Sequence, residues 1–147
     1  MNQITNLSQY KADYNNLMDS SFEIRCLLEQ VGAIILQASC SEELISDEIE
    51  TNQTNASLAR LSKLVLRKIF SILEVLEPRL KNQVLNDFSN SITDLSIALD
   101  VASKSHLTTR NQTNLFYGLF HAVGELEKDL DSLEVELKAQ YKEKSNG

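Results

Sequence analysis

Residues 116–137, FYGLFHAVGELEKDLDSLEVEL, decide how the rest of the chain is read. Phe116, Leu119, Val123, Leu126, Leu130, Leu133 and Leu137 follow one another at intervals of three and four. That spacing keeps side chains on one face of a helix. The seam predicts a helix over 109–143, and a helix with one apolar face needs other helices to cover it. Thr109, with Gln112 three residues later, matches a capping box and sets the expected start. The final YKEKSNG is expected to fray.

Working outward, the same spacing recurs. Leu7, Tyr10, Tyr14, Leu17, Ser21, Ile24, Leu28, Val31, Ile35 and Ala38 predict a helix over 5–39. Ser20 and Glu23 form a second capping-box match that would bend it near Asp19. In SEELISDEIE, Ser41 is a good N-cap and Glu42 and Glu43 fall in the first turn, where the helix dipole favours acids. A short helical segment over 41–50 is expected, then a polar connection, TNQTN, over 51–55. A continuous helix over 42–77 is the alternative. Residues 56–77 carry Leu58, Leu61, Leu64, Val65, Ile69, Ile72, Leu73 and Leu76 around most of the circumference, which predicts a central helix. Pro78 is expected to end it and open the next, over 79–104. That helix has a seam of Leu85, Phe88, Ile92, Leu95, Leu99 and Ala102.

These segments predict an all-α antiparallel four-helix bundle, a single domain over 1–147 with long first and fourth helices. Their overhanging ends would pair with each other or with a second copy. The tetrad NQTN stands at 52–55 and again at 111–114. In an up-down-up-down bundle the second and fourth helices run parallel, which puts both tetrads at one end.

The composition agrees with long helices. A chain of 147 residues is the size of one domain and needs no metal or disulfide to fold. It has only four glycines and one proline, where a sheet protein would need more for its turns. The net charge of −7 argues against direct nucleic-acid binding and suits a basic protein partner. Cys26 and Cys40 form neither CxxC nor a zinc pattern. No apolar run approaches the roughly 20 residues of a membrane span, and the N-terminus lacks an apolar secretion core. The expectation is a cytoplasmic protein with reduced thiols and no membrane contact. A di-iron bundle needs Glu-x-x-His pairs, but Ser103 stands three residues before His106 and Gly118 three before His121. There is no HExxH and no phosphate loop. No cofactor, no metal and no catalysis are therefore expected.

Two surfaces stand out. In the heptad of the last helix, Tyr117, Gly118, His121 and Gly124 take outward positions. Each glycine costs a helix about 1 kcal/mol relative to alanine, while the missing side chain permits close approach. One reading packs the chain's own 41–55 segment on this face. A second makes it a docking face for another protein or a second copy, and a third makes His121 chemically active. His121-Ala-Val-Gly124 is loosely similar to histidine phosphotransfer domains, four-helix bundles whose exposed histidine is flanked by small residues. The resemblance implies a phosphorylatable His121. The family's glycine follows at four positions after a lysine, whereas here it follows at three without one.

The second surface is Arg60, Lys63, Arg67 and Lys68, cations near a helix start where the dipole prefers acids. They would pair with the run Glu42, Glu43, Asp47, Glu48 and Glu50, or bind an anion or acidic partner. Together these features predict a protein-binding module such as a small acidic inhibitor, immunity protein, antitoxin or chaperone. The alternatives are a ligand-sensing or phosphotransfer-like bundle using the aromatic half of the last helix, and a structural homo-oligomer.

Overall fold

The computed structural model describes residues 2–104 and 107–146, with side chains described for residues 11, 12, 14–104 and 107–143. Leu7, Tyr10 and His106 fall outside the described side chains. The chain is all-α. Its helices are α1 (Asn2–Ser39), the short α2 (Ser41–Leu44), α3 (Glu48–Leu80), α4 (Gln83–Lys104) and α5 (Thr109–Asn146), with no strand among the described residues.

α1 runs unbroken through Ser20, so the capping-box match there does not split it. The next residue, Ser21, is buried and donates its hydroxyl to the Glu134 carboxylate of α5. Seam residues Leu17, Ile24, Leu28, Val31, Ile35 and Ala38 are buried on the same side. Tertiary contact on this face outweighs a local capping preference worth about 1 kcal/mol.

The TNQTN connection is a correction. α3 starts at Glu48, not at 56, and TNQTN lies inside it. The start is set by Asp47, whose backbone is extended and whose Oδ1 accepts the Ile49 N–H at 2.9 Å. Thr51 and Asn55 are then fully buried. Asn55 accepts from Ser41 Oγ at 2.6 Å and donates to Gln112 Oε1 at 3.1 Å. Thr51 bonds back to the Asp47 carbonyl at 2.9 Å, but Asn55 reads as a loop residue because only partners distant in sequence allow its burial. Gln112 is therefore an interior partner and not a capping-box residue. The cap of α5 is Thr108, whose hydroxyl accepts the Asn111 N–H at 3.3 Å. The Asn55–Gln112 bond brings the two NQTN tetrads to one end of the molecule.

Pro78 is the second correction. It lies within α3, which continues to Leu80. Proline has no N–H to offer the carbonyl four residues back, but less than one turn remains, and Leu80 packs on the core. The helix ends at Lys81 in the left-handed conformation, φ 42°, with its N–H on the Glu77 carbonyl at 3.1 Å. Asn82 caps α4 through its Oδ1 to Leu85 N–H at 3.1 Å.

The predicted seams of α4 and α5 are buried throughout. That of α3 is not. Leu61 and Leu64 are 46% and 51% exposed, while Ala59, Ser62 and Leu66 face the core. α3 is not a central helix. It packs mainly against α1 and α4, which leaves one side in solvent.

α1 packs chiefly on α5 and α3, and α4 on α3 and α5. Along α1 and α5 the contacts run in opposite directions. Tyr14 stacks on Tyr141 with ring centroids 4.3 Å apart. Arg25 bridges Asp131 at 2.6 Å and Glu134 at 2.9 Å. Its pKa is raised, chiefly by the hydrogen bond to Glu134. Buried Gly32 lies where an added Cβ would meet Val123 at 3.4 Å.

Two stability measurements follow. Lys81→Gly removes a left-handed non-glycine residue and is expected to stabilise the fold by about 1 kcal/mol in urea unfolding. Asn55→Ala leaves Gln112 and Ser41 without their buried partner and is expected to destabilise it by about 1–3 kcal/mol.

Candidate functional site

The first half of α5 offers the glycine–aromatic face. Gly118 and His121 are exposed, Gly124 is half-buried, and Tyr117 is 54% exposed. The Tyr117 ring stands edge-on to His121, centroids 4.5 Å apart at 85°, and Phe120 approaches the same imidazole at 5.9 Å. A Cβ added at Gly118 or Gly124 would meet nothing within 4 Å. The 41–55 segment therefore does not pack there. Its Ser41 donates to Asn55, and Asn55 is committed to Gln112, nearer the start of α5. Beside this face, a groove of about 290 Å³ between α1 and α5 is lined by Glu29, Ala33, His121, Gly124 and Lys128.

The close-approach glycine is Gly32 of α1, which the sequence reading did not single out. Its only sequence signal is its position one residue past the seam residue Val31.

The basic stripe divides. Lys63 turns to α4 and binds Asp100 at 2.7 Å, which also accepts from Lys104 at 3.0 Å. Arg60 donates to Ser57 Oγ at 3.1 Å. Arg67 and Lys68 are exposed, with no ion pair among the described residues. The expected pairing with the acidic run does not form. Because α3 begins at Glu48, twelve residues separate Glu48 from Arg60 on one helix, about 18 Å along its axis. The acids act locally instead. Asp47 caps α3, and Glu48 accepts the Thr109 N–H at 3.4 Å. The two surfaces lie on α3 and α5, which touch only slightly, so the structure does not bring them together.

A third feature escaped the sequence reading. Between α4 and α5 runs an open groove of about 390 Å³, continued by a second of about 180 Å³ through shared Ser91 and Asp129. Its apolar lining includes Phe88, Leu95, Ala98, Leu119 and Leu126, and Asp87, Asp94, Glu125 and Asp129 also line it. The acids were visible in the sequence. Their convergence required knowing which helix faces which.

Cys26 and Cys40 are free and half-buried. Among the described residues no group of three or more His, Cys, Asp or Glu is placed to hold a metal ion. Nor, among the described residues, is any helix long and apolar enough to cross a membrane. No protein-family model, curated protein or solved structure matches this chain.

The bond to Lys63, then that to Lys104, holds the Asp100 carboxyl below its ordinary 3.8. A carboxylate with a depressed folded pKa stabilises the fold above its unfolded pKa and loses that contribution as pH falls through the folded value. Asp100→Asn is expected to lower the melting temperature at neutral pH, and the gap from wild type should close in the acid range below 3.8. Thermal melts across that range read it directly.

Proposed function

We propose that α1, α3, α4 and α5 form an antiparallel four-helix bundle that works as a non-catalytic protein-binding module, docking on a larger protein through the outer face of α5 around Gly118. The opposed run of α1 and α5 contacts supports the architecture, as do the two-residue link between α3 and α4 and the shared end of the NQTN tetrads. One observation carries the function. Gly118 and Gly124 leave open space on a helix that glycine weakens, and none of the described residues fills it. Exposed Tyr117, braced by His121, adds the kind of aromatic anchor enriched in interfaces.

Arg60, Arg67 and Lys68 supply a second contact, for an acidic patch on the same or another partner. Lys63 is held by Asp100 and leaves that set. With a net charge of −7 the chain suits the role of a small inhibitor, immunity protein, antitoxin or chaperone of a larger protein.

The test compares wild type with Gly118→Arg in affinity capture from the native host, with circular dichroism on both baits. The new side chain projects into open space, so helix content is expected to be unchanged. A protein captured by wild type and lost with Gly118→Arg is the expected result. Equal capture by both folded baits would overturn the assignment to this face. Gly118→Ala separates folding from binding and should stabilise the helix by about 1 kcal/mol.

A further inference from the structure

The α4–α5 seam differs from the α1–α5 and α3–α4 seams. α1–α5 is closed by the Ser21/Arg25–Glu134/Asp131 cluster and by close approach at Gly32. α3–α4 is bridged by Lys63–Asp100. Across α4–α5, among the described residues, the polar bridge is Asn82 donating to Glu136 at 3.4 Å, at the end where α4 begins. Over the rest, the lining alternates short side chains (Ser91, Ala98, Ala122) with carboxylates from both helices: Asp87 and Asp94 from α4, Glu125 and Asp129 from α5. No lysine or arginine lines it. Glu125 has Lys128 beside it at 3.2 Å and Asp87 accepts from Gln83 at 2.9 Å. Asp94 and Asp129 have no hydrogen bond or ion pair among the described residues.

Like charges brought to one seam repel, and the repulsion acts against closure of α4 on α5. A cation-bearing occupant reverses the sign of that term. The floor is apolar, so the occupant must also carry apolar side chains. From Val84 to Ala98 the groove extends fourteen residues along α4, about 21 Å, or roughly four turns of helix. We propose that the α4–α5 groove binds an amphipathic helix of another protein, with an apolar stripe flanked by lysines or arginines, in the helix-in-groove mode. This rests on the protein-binding reading but uses a surface other than the Gly118 face, so each stands or falls on its own variants. The spread of the carboxylates along the groove, with no metal-holding group of acids, favours a line of side-chain cations over a single ion.

The test uses the full chain, isotope-labelled, and a synthetic fourteen-residue helical peptide with leucines on one face and lysines on the flanks. At 16.6 kDa the protein suits two-dimensional amide NMR. Saturable shifts concentrated in residues 84–98 and 119–132 are expected. They should weaken with added salt, as a screened electrostatic contact does. Asp94→Lys with Asp129→Lys is expected to weaken binding at least about tenfold. The same peptide with glutamates for lysines should not bind, nor should spermine, which has the charge without the apolar stripe.

Both substituted residues lack partners, so folding should survive. As an independent readout, Asp94→Asn with Asp129→Asn should raise the melting temperature of the free protein by relieving the repulsion. The proposal is overturned if the peptide shifts map elsewhere or do not saturate. Binding that survives charge reversal overturns it too, as does equal binding of spermine. Sedimentation showing the groove occupied by a second copy of the chain would replace the foreign helix with self-association.

Discussion

The pairing of α1 with α5 is the constraint on which the structure depends. The two longest helices come from opposite ends of the chain, so nothing local brings them together. Their contact extends from the Tyr14–Tyr141 stack through the Arg25 fork to the close approach at Gly32. Each feature fixes a different degree of freedom. The small residue sets how near the axes come, the guanidinium between two carboxylates fixes register, and the stacked rings tie the early part of α1 to the late part of α5. With α1 and α5 in place, α3 and α4 complete the core from the other side, joined by a turn of two residues.

Polar groups divide the labour by depth. At one end, Ser41, Asn55 and Gln112 form a buried hydrogen-bonded set linking the α1–α2 turn, α3 and α5. Buried polar groups are costly when unpaired, so this set penalises any shift in register that separates its members. At the surface the carboxylates fall into two populations. Asp100, Asp131 and Glu134 face cations across a seam and join helices. Those along α4–α5 do not. Of these, Asp94 and Asp129 have no hydrogen bond or ion pair among the described residues.

The sequence made the fold class legible because α4 and α5 each carry an apolar seam with helical period, and every seam residue named for them is buried. Their geometry needs no knowledge of the partner. α3 was harder to read. With leucine, valine and isoleucine around most of its circumference, periodicity does not distinguish the buried side from the exposed one, and Leu61 and Leu64 fall outside. Polar stretches misled in the opposite sense. TNQTN has the composition of a connection and the structure of a helix, and its Asn55 is buried because its partners are Ser41 and Gln112 and not its neighbours in sequence. Pro78 misled for a related reason. A proline rule describes the loss of one hydrogen bond, whereas Leu80 packing on the core decides whether the last turn survives that loss.

For the candidate site, local arithmetic went as far as placing Tyr117, Gly118, His121 and Gly124 on the outer face of their helix, since heptad position follows from spacing alone. Whether another element covered them was a question of tertiary contact, and the space beside both glycines is empty. Tertiary contact also removed Lys63 from the basic stripe by turning it to Asp100, and separated the acidic run from the cations it was expected to meet. Spacing along one helix fixes which residues share a face, so sequence determined the helices and their seams. Which faces meet depends on the mutual packing of residues far apart in the chain, so the structure alone decided the α1–α5 register, the buried polar end and the acidic groove.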